Sequence, residues 1–247
     1  MSLVFRSDDL ETYRMEYADP HRTIEPPERE IAVVEGALDA LARAGILPHA
    51  RYDRDRFEAH RAAVADLFEI PWTAITPRMQ RLLYAINAIA QPANMIAAGV
   101  FCGNTFISNA GAAVGPGAAY TAEALLGVEI KPAEAERAER NMRRVDPTGV
   151  AHVVAADAVD VVRDFPGPID LLYLDADGDR ERGKGIYQDI LDAAYPKLPP
   201  GALVLAHNSL NCAERLRHYL AFVRDSRNMR ASLNVLFDVE GLEVSAR

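Results

Sequence analysis

The chain has 247 residues, of which 49% are hydrophobic and 26% charged, and its formal net charge is −9. That is the composition of an ordinary globular protein with ample core. The acidic balance, with no basic stripe along any predicted helix, argues against a nucleic-acid partner, and no apolar run approaches membrane-spanning length.

Residues 1–74 read as a helical cap without strands. Arg6, Asp8, Asp9 and Glu11 leave no secretory apolar stretch at the start. Ile31, Val34, Leu38 and Leu41 recur at helical spacing, and Gly45 supplies the stop. A second amphipathic helix is predicted over 53–68, with Phe57, Val64, Leu67 and Phe68 on its apolar side. Pro26-Pro27 and Pro71-Trp72 mark the joints between these pieces. Tyr13, Tyr17, His21, Arg22 and Trp72 are candidates for a lid, where aromatic faces would suit a cation, or for plain packing.

Thr76-Pro77 begins a further helix through Leu82, Leu83, Ile86 and Ile89, with proline at its first helical position. From Met95 onward, strands predicted over 95–98, 125–129, 151–155, 169–174 and 202–206 alternate with helices over 105–114, 132–144, 158–165 and 185–195. Such alternation gives a parallel sheet with helices on both faces. A helix over 213–224 is followed by two strands, 232–239 and 242–245, joined around Asp238, Glu240 and Gly241 as an antiparallel hairpin. The expected fold is therefore α/β: a doubly wound, mostly parallel seven-stranded sheet over 75–247, preceded by the cap. Cys102 and Cys212 stand in unlike contexts without metal or redox spacing, so a reduced, cytoplasmic protein is expected.

The most informative stretch runs from Met95 to Thr105, an apolar strand entering a turn that carries Gly99 and Gly103. Glycine is needed where a backbone turns tightly beside a ligand. A lone Gly-x-x-x-Gly says little, but acidic residues follow the next three predicted strands in order: Glu129, Asp157 and Asp175. Together they point to a nucleoside-type ligand at the carboxyl ends of the strands. Asp157 also suits N-capping of the helix that starts at Ala158.

With Thr76-Pro77-Arg78-Met79-Gln80 and Leu82-Leu83 ahead of these positions, the chain resembles the small-molecule O-methyltransferases related to catechol and caffeoyl-CoA O-methyltransferases. These have the class I S-adenosylmethionine-dependent methyltransferase fold. The resemblance implies S-adenosylmethionine as cofactor, its methionine portion wrapped by the turn of Gly99, Phe101 and Gly103. It places Glu129 on both ribose hydroxyls, with Ile130 beside it, since a carboxylate offers two acceptor oxygens to a vicinal diol. Asp157 and Ala158 fall at the adenine amino group, and Asp175 between cofactor and substrate.

Two departures matter. Metal-dependent members resembling this chain bind a divalent cation through an Asp after the fourth of these strands and an Asp-Asn pair after the fifth. Here Asp175 is followed by His207-Asn208, and imidazole suits softer metals than magnesium, so no metal is expected, with one held by Asp175, His207 and Asn208 as the alternative. Asp175, His207 and Asn208 are the catalytic candidates, with His207 read as a general base or as a histidine held by backbone hydrogen bonds. The second departure is Ala97, where relatives carry an acidic residue near the cofactor's amino group. Its absence would favour a neutral amine, the nucleophile for closing the cofactor on itself to azetidine-2-carboxylate and methylthioadenosine. Enzymes of that kind resemble methyltransferases in sequence. The leading expectation is methyl transfer to an oxygen or nitrogen of a small molecule. Cyclisation of S-adenosylmethionine alone and a noncatalytic nucleoside-binding module are the alternatives. Monomer and homodimer both stay open.

Overall fold

The computed structural model describes residues 3–73 and 75–247. It begins with a short strand, β1 (Leu3–Arg6). Helix α1 (Pro27–Arg43) has proline in its first turn and buries Val33, Val34, Ala37, Leu38 and Leu41 along one face. Asp53 caps helix α2 (Arg54–Leu67) by accepting from the Arg56 N–H, and Thr76 caps α3 (Pro77–Ala90) by accepting from the Met79 N–H. Helix α3 lies between the cap and the sheet, and its Arg78 and Arg81 are both fully buried. Arg78 pairs with Asp9 at 2.7 Å and Glu25 at 2.5 Å, and Arg81 with Glu30 and Glu58, both at 2.5 Å. Enclosed guanidinium groups persist only with such partners, so these pairs fasten the first sixty residues or so onto α3.

The rest alternates as predicted: β2 (Asn94–Ala98), α4 (Asn104–Ala110), β3 (Ala124–Glu129), α5 (Pro132–Val145), β4 (Ala151–Ala155), α6 (Ala158–Asp164), β5 (Leu171–Leu174), α7 (Ile186–Ala194), β6 (Leu203–His207), α8 (Arg217–Val223), β7 (Ala231–Leu236) and β8 (Leu242–Ala246). These strands form one sheet in the order β1-β7-β8-β6-β5-β2-β3-β4. Only β8 runs antiparallel to its neighbours. Strands β2, β5 and β6 are buried at every residue, as strands covered on both faces should be.

The sheet has eight strands, one more than expected, and the first part of the chain is not purely helical. Strand β1 adds to the edge in parallel with β7, in register Leu3↔Leu233 to Arg6↔Leu236. Four residues without a turn signal or a full alternation carry too little pattern to be told from an irregular terminus. What holds them is tertiary: the Phe5 ring lies against Gly36 of α1. Helix α4 ends at Gly111, earlier than expected, and the His60 ring packs so close to that glycine that no side chain fits there.

One hydrophobic core runs without a break from α1 and α3 through Met95, Leu125 and Leu171 to Val235 and Val244. The other sheet face is covered by α6, α7 and α8 around Ile96, Leu172, Ile190 and Tyr219. Strand order reverses at β2, which has β3 on one side and β5 on the other. In an open α/β sheet, the carboxyl ends at such a switch point leave a crevice.

Candidate active site

A cleft of about 850 Å³ opens at this switch point. Gly99 leaves β2 at φ +81°, and a Cβ there would stand 2.4 Å from the Ala176 backbone, so no other residue fits. Phe101 follows in the left-handed region at φ +49°. Gly103, at φ +91°, then opens α4. The turn is fixed by Glu129 at the end of β3. Its Oε2 accepts from the Phe101 N–H at 2.9 Å and its Oε1 from the Lys131 N–H at 3.0 Å. Among the described residues Glu129 makes no ion pair, and it lines the cleft while only 8% exposed. Each oxygen therefore keeps lone pairs for hydroxyl donors in the cleft.

Asp157 caps α6 by accepting from the Val159 N–H at 2.8 Å and still lines the cleft with Ala158, so the cap does not take it out of the cleft. Ile130, 57% exposed, lines the wall next to Glu129. Asn208, in the left-handed region at φ +63°, contributes beside Asp175.

At the end of β5, Asp175 meets a residue that the sequence reading passed over. Lys184 Nζ donates to Asp175 Oδ1 and to its backbone carbonyl, both at 2.8 Å, and lies 3.4 Å from Asp177 Oδ2. Burial opposes charge on all three groups of this centre, but their mutual attraction prevails. Lys184 and His207 hold the Asp175 carboxyl below its ordinary range, while Asp175 holds the Lys184 ammonium and the His207 imidazolium above theirs. Lys184 sits in a strongly charged loop that reads as solvated surface. No spacing in the sequence marks it as a partner of Asp175.

His207 is placed differently from its reading as a base on the acceptor. It is fully buried, does not line the cleft, and among the described residues neither ring nitrogen has a hydrogen-bond partner, backbone or side chain. Its Nδ1 stands 3.3 Å from Asp175 Oδ1. An enclosed ring behind the carboxylate meets the site only through Asp175. Among the described residues no group of three His, Cys, Asp or Glu side chains is arranged to hold a metal ion. Ala97 is also fully buried, and its side chain is no part of the cleft wall.

Of the cap candidates, Trp72 and the adjacent Thr73 reach the cleft. The Trp72 ring lies 4.7 Å from that of Phe101. Tyr13 packs under the Arg78 guanidinium at 3.7 Å, and Tyr17 donates to Glu240 at 2.5 Å. His21 faces a separate small cavity beside His60, and Arg22 pairs with Glu16. The Cys102 thiol is pushed up by burial to about 11 and is no nucleophile at neutral pH.

Residues 96–209 match the sequence family described as "Methyltransferase domain". The match spans β2 to β6, and the chain shares its fold with solved methyltransferases. It is similar to the O-methyltransferase of Bacillus cereus in complex with S-adenosylhomocysteine, at 16% identity and TM-score 0.57, over 80% of this chain and 92% of that one. It is also similar to the O-methyltransferase TomG of Streptomyces achromogenes, involved in tomaymycin synthesis and solved with S-adenosylmethionine, at 18% identity and TM-score 0.55, over 90% and 99% of the two chains. A third is the S-adenosylhomocysteine-bound methyltransferase PaMTH1 of Podospora anserina, at 12% identity and TM-score 0.58, over 92% and 99%. No curated protein matches the chain. No helix among the described residues is long and apolar enough to cross a membrane.

Proposed function

We propose that the protein binds S-adenosylmethionine in this cleft and transfers its methyl group to an oxygen or nitrogen of a small molecule. The observation that carries the reading is Glu129: a cleft-lining carboxylate without a cationic partner, already bridging the two turns that would embrace a ribose. When bound, the cofactor supplies a sulfonium whose methyl carbon is electrophilic without further activation. The chain's own residues have to bind, orient and exclude water. Gly99, Phe101 and Gly103 hold the methionine end, Glu129 and Ile130 the ribose, and Asp157 and Ala158 the adenine side. Lys184, kept as an ammonium by Asp175, lowers the proton affinity of an acceptor hydroxyl beside it, and Asn208 offers a further polar contact.

The test is calorimetric titration with S-adenosylhomocysteine and, in parallel, NAD. Micromolar binding of the first and none of the second is expected. Preference for NAD would overturn the assignment.

A further inference from the structure

Helix α5 buries Ala135, Ala138, Met142 and Val145, and in their midst Asn141, 1% exposed. An asparagine there weakens the helix and carries a carboxamide into an apolar face, so its partners carry the explanation. Its Oδ1 accepts from the Glu69 N–H at 3.0 Å. Its Nδ2 donates to the Glu69 carbonyl at 3.0 Å and to the Cys102 carbonyl at 2.9 Å. One amide thus joins two segments that are far apart in sequence, the cap linker over 68–73 and the turn between Gly99 and Gly103. Only a carboxamide can both accept from and donate to the same backbone residue while keeping a second donor for the other segment. Next to this contact, Asn104 Nδ2 donates to Thr73 Oγ1 at 2.8 Å. The linker so held carries Trp72 and Thr73, which line the cleft opposite Phe101.

We propose that Asn141 is a positioning residue, a latch that locks the cap linker to the glycine turn and so sets the distance between the Trp72 wall and the bound cofactor. The proposal rests on cofactor binding in the cleft, so titration of the wild-type protein with S-adenosylhomocysteine comes first. No binding there would remove the cofactor reading itself.

Asn141→Asp keeps the shape but turns acceptor oxygens toward the Glu69 and Cys102 carbonyls. The expected result is a folded protein that binds S-adenosylhomocysteine about tenfold more weakly, as loss of one to two buried hydrogen bonds implies. Trp72 is the only tryptophan, so its fluorescence reports the linker directly. Acrylamide should quench it more readily in Asn141→Asp than in the wild type. Met142→Ala, on the same buried face, controls for destabilisation alone and is expected to lower the melting temperature while leaving affinity and quenching unchanged. Should Asn141→Asp fail to fold, Asn141→Ala, which introduces no repulsive oxygen, is read by the same two measurements. Wild-type affinity and quenching in a folded Asn141 variant would overturn the latch, and so would equal weakening in Met142→Ala.

Discussion

The Lys184 ammonium lies 2.8 Å from Asp175 Oδ1, so the carboxylate that could have begun a metal site is already neutralised by a side chain of the same protein. His207 stands behind the same oxygen at 3.3 Å, at the end of β6. Turnover is therefore expected to survive exhaustive chelation and to gain nothing from added magnesium. Lys184→Met should reduce turnover by roughly a hundredfold, the usual effect of removing one preorganised charge, with S-adenosylhomocysteine affinity changed little. Activity lost on chelation and restored by magnesium would show the cation reading to be right.

Glu129→Ala removes the acceptor for the Phe101 and Lys131 amides and, in the proposed complex, the acceptor for two ribose hydroxyls. Binding of S-adenosylmethionine should weaken by about 2–4 kcal/mol, counting about 1.5–3 kcal/mol per bond to a charged group and discounting for non-additivity. Calorimetry showing unchanged affinity would take Glu129 out of the site.

The parts of this centre that were legible in the sequence are those fixed by the strands. Gly99, Glu129 and Asp175 stand directly at strand ends and Asp157 two residues past one, and apolar runs locate strand ends well. Lys184 was not legible, because a loop from Asp177 to Lys184 brings it back across space to Asp175 and no periodicity encodes that return. His207 was placed correctly along the chain, at the end of β6, but its depth was hidden, since burial of a polar side chain depends on what packs over it. Strand β1 was missed for the same reason: its partner β7 lies more than two hundred residues away.

Two glycines with similar backbones separate strain from collision. Gly99 and Gly201 have φ of +81° and +91°, but a Cβ at Gly99 meets the Ala176 backbone at 2.4 Å while at Gly201 it meets nothing within 4 Å. Gly201→Ala should cost only the left-handed penalty of about 1–2 kcal/mol and leave cofactor binding intact. Gly99→Ala should distort the turn and abolish binding, with a much larger loss of stability. Equal melting temperatures for the two variants would refute this contrast.

His60, outside the site, is expected to carry part of the acid sensitivity of the fold. It is stacked on Tyr84 at 5.4 Å and is 3% exposed, and its Nδ1 has no partner. Burial, with Arg61 nearby, lowers its pKa to about 4. Between the ordinary histidine value of about 6.5 and this lower one, the unfolded chain binds the proton and the folded chain does not. Stability is thus complete above the unfolded value and is lost as pH falls through that window, by at most about 3 kcal/mol. Denaturation midpoints measured from pH 7 to pH 4 should fall less steeply in His60→Gln than in the wild type. Parallel slopes would locate the acid sensitivity elsewhere.

Incubating the pure protein with S-adenosylmethionine alone separates the two reactions open to this cofactor. Methyl transfer needs an acceptor, so the cofactor should persist apart from slow background decay. Cyclisation needs none: the neutral amine would attack its own γ-carbon, break the carbon–sulfur bond and release methylthioadenosine while losing a proton. Ala97 stands where an acidic residue would favour the ammonium. In the folded protein Ala97 is fully enclosed, in register with Gly127 and Tyr173, and its side chain stays out of the cleft wall. A carboxylate introduced there would be buried before it met the amine, so Ala97→Asp would test packing more than chemistry. The wild-type measurement is the decisive one, and product analysis by mass is expected to find no methylthioadenosine above the protein-free control. Its rapid formation, with a four-membered-ring amino acid, would replace methyl transfer by cyclisation as the reaction of this cleft.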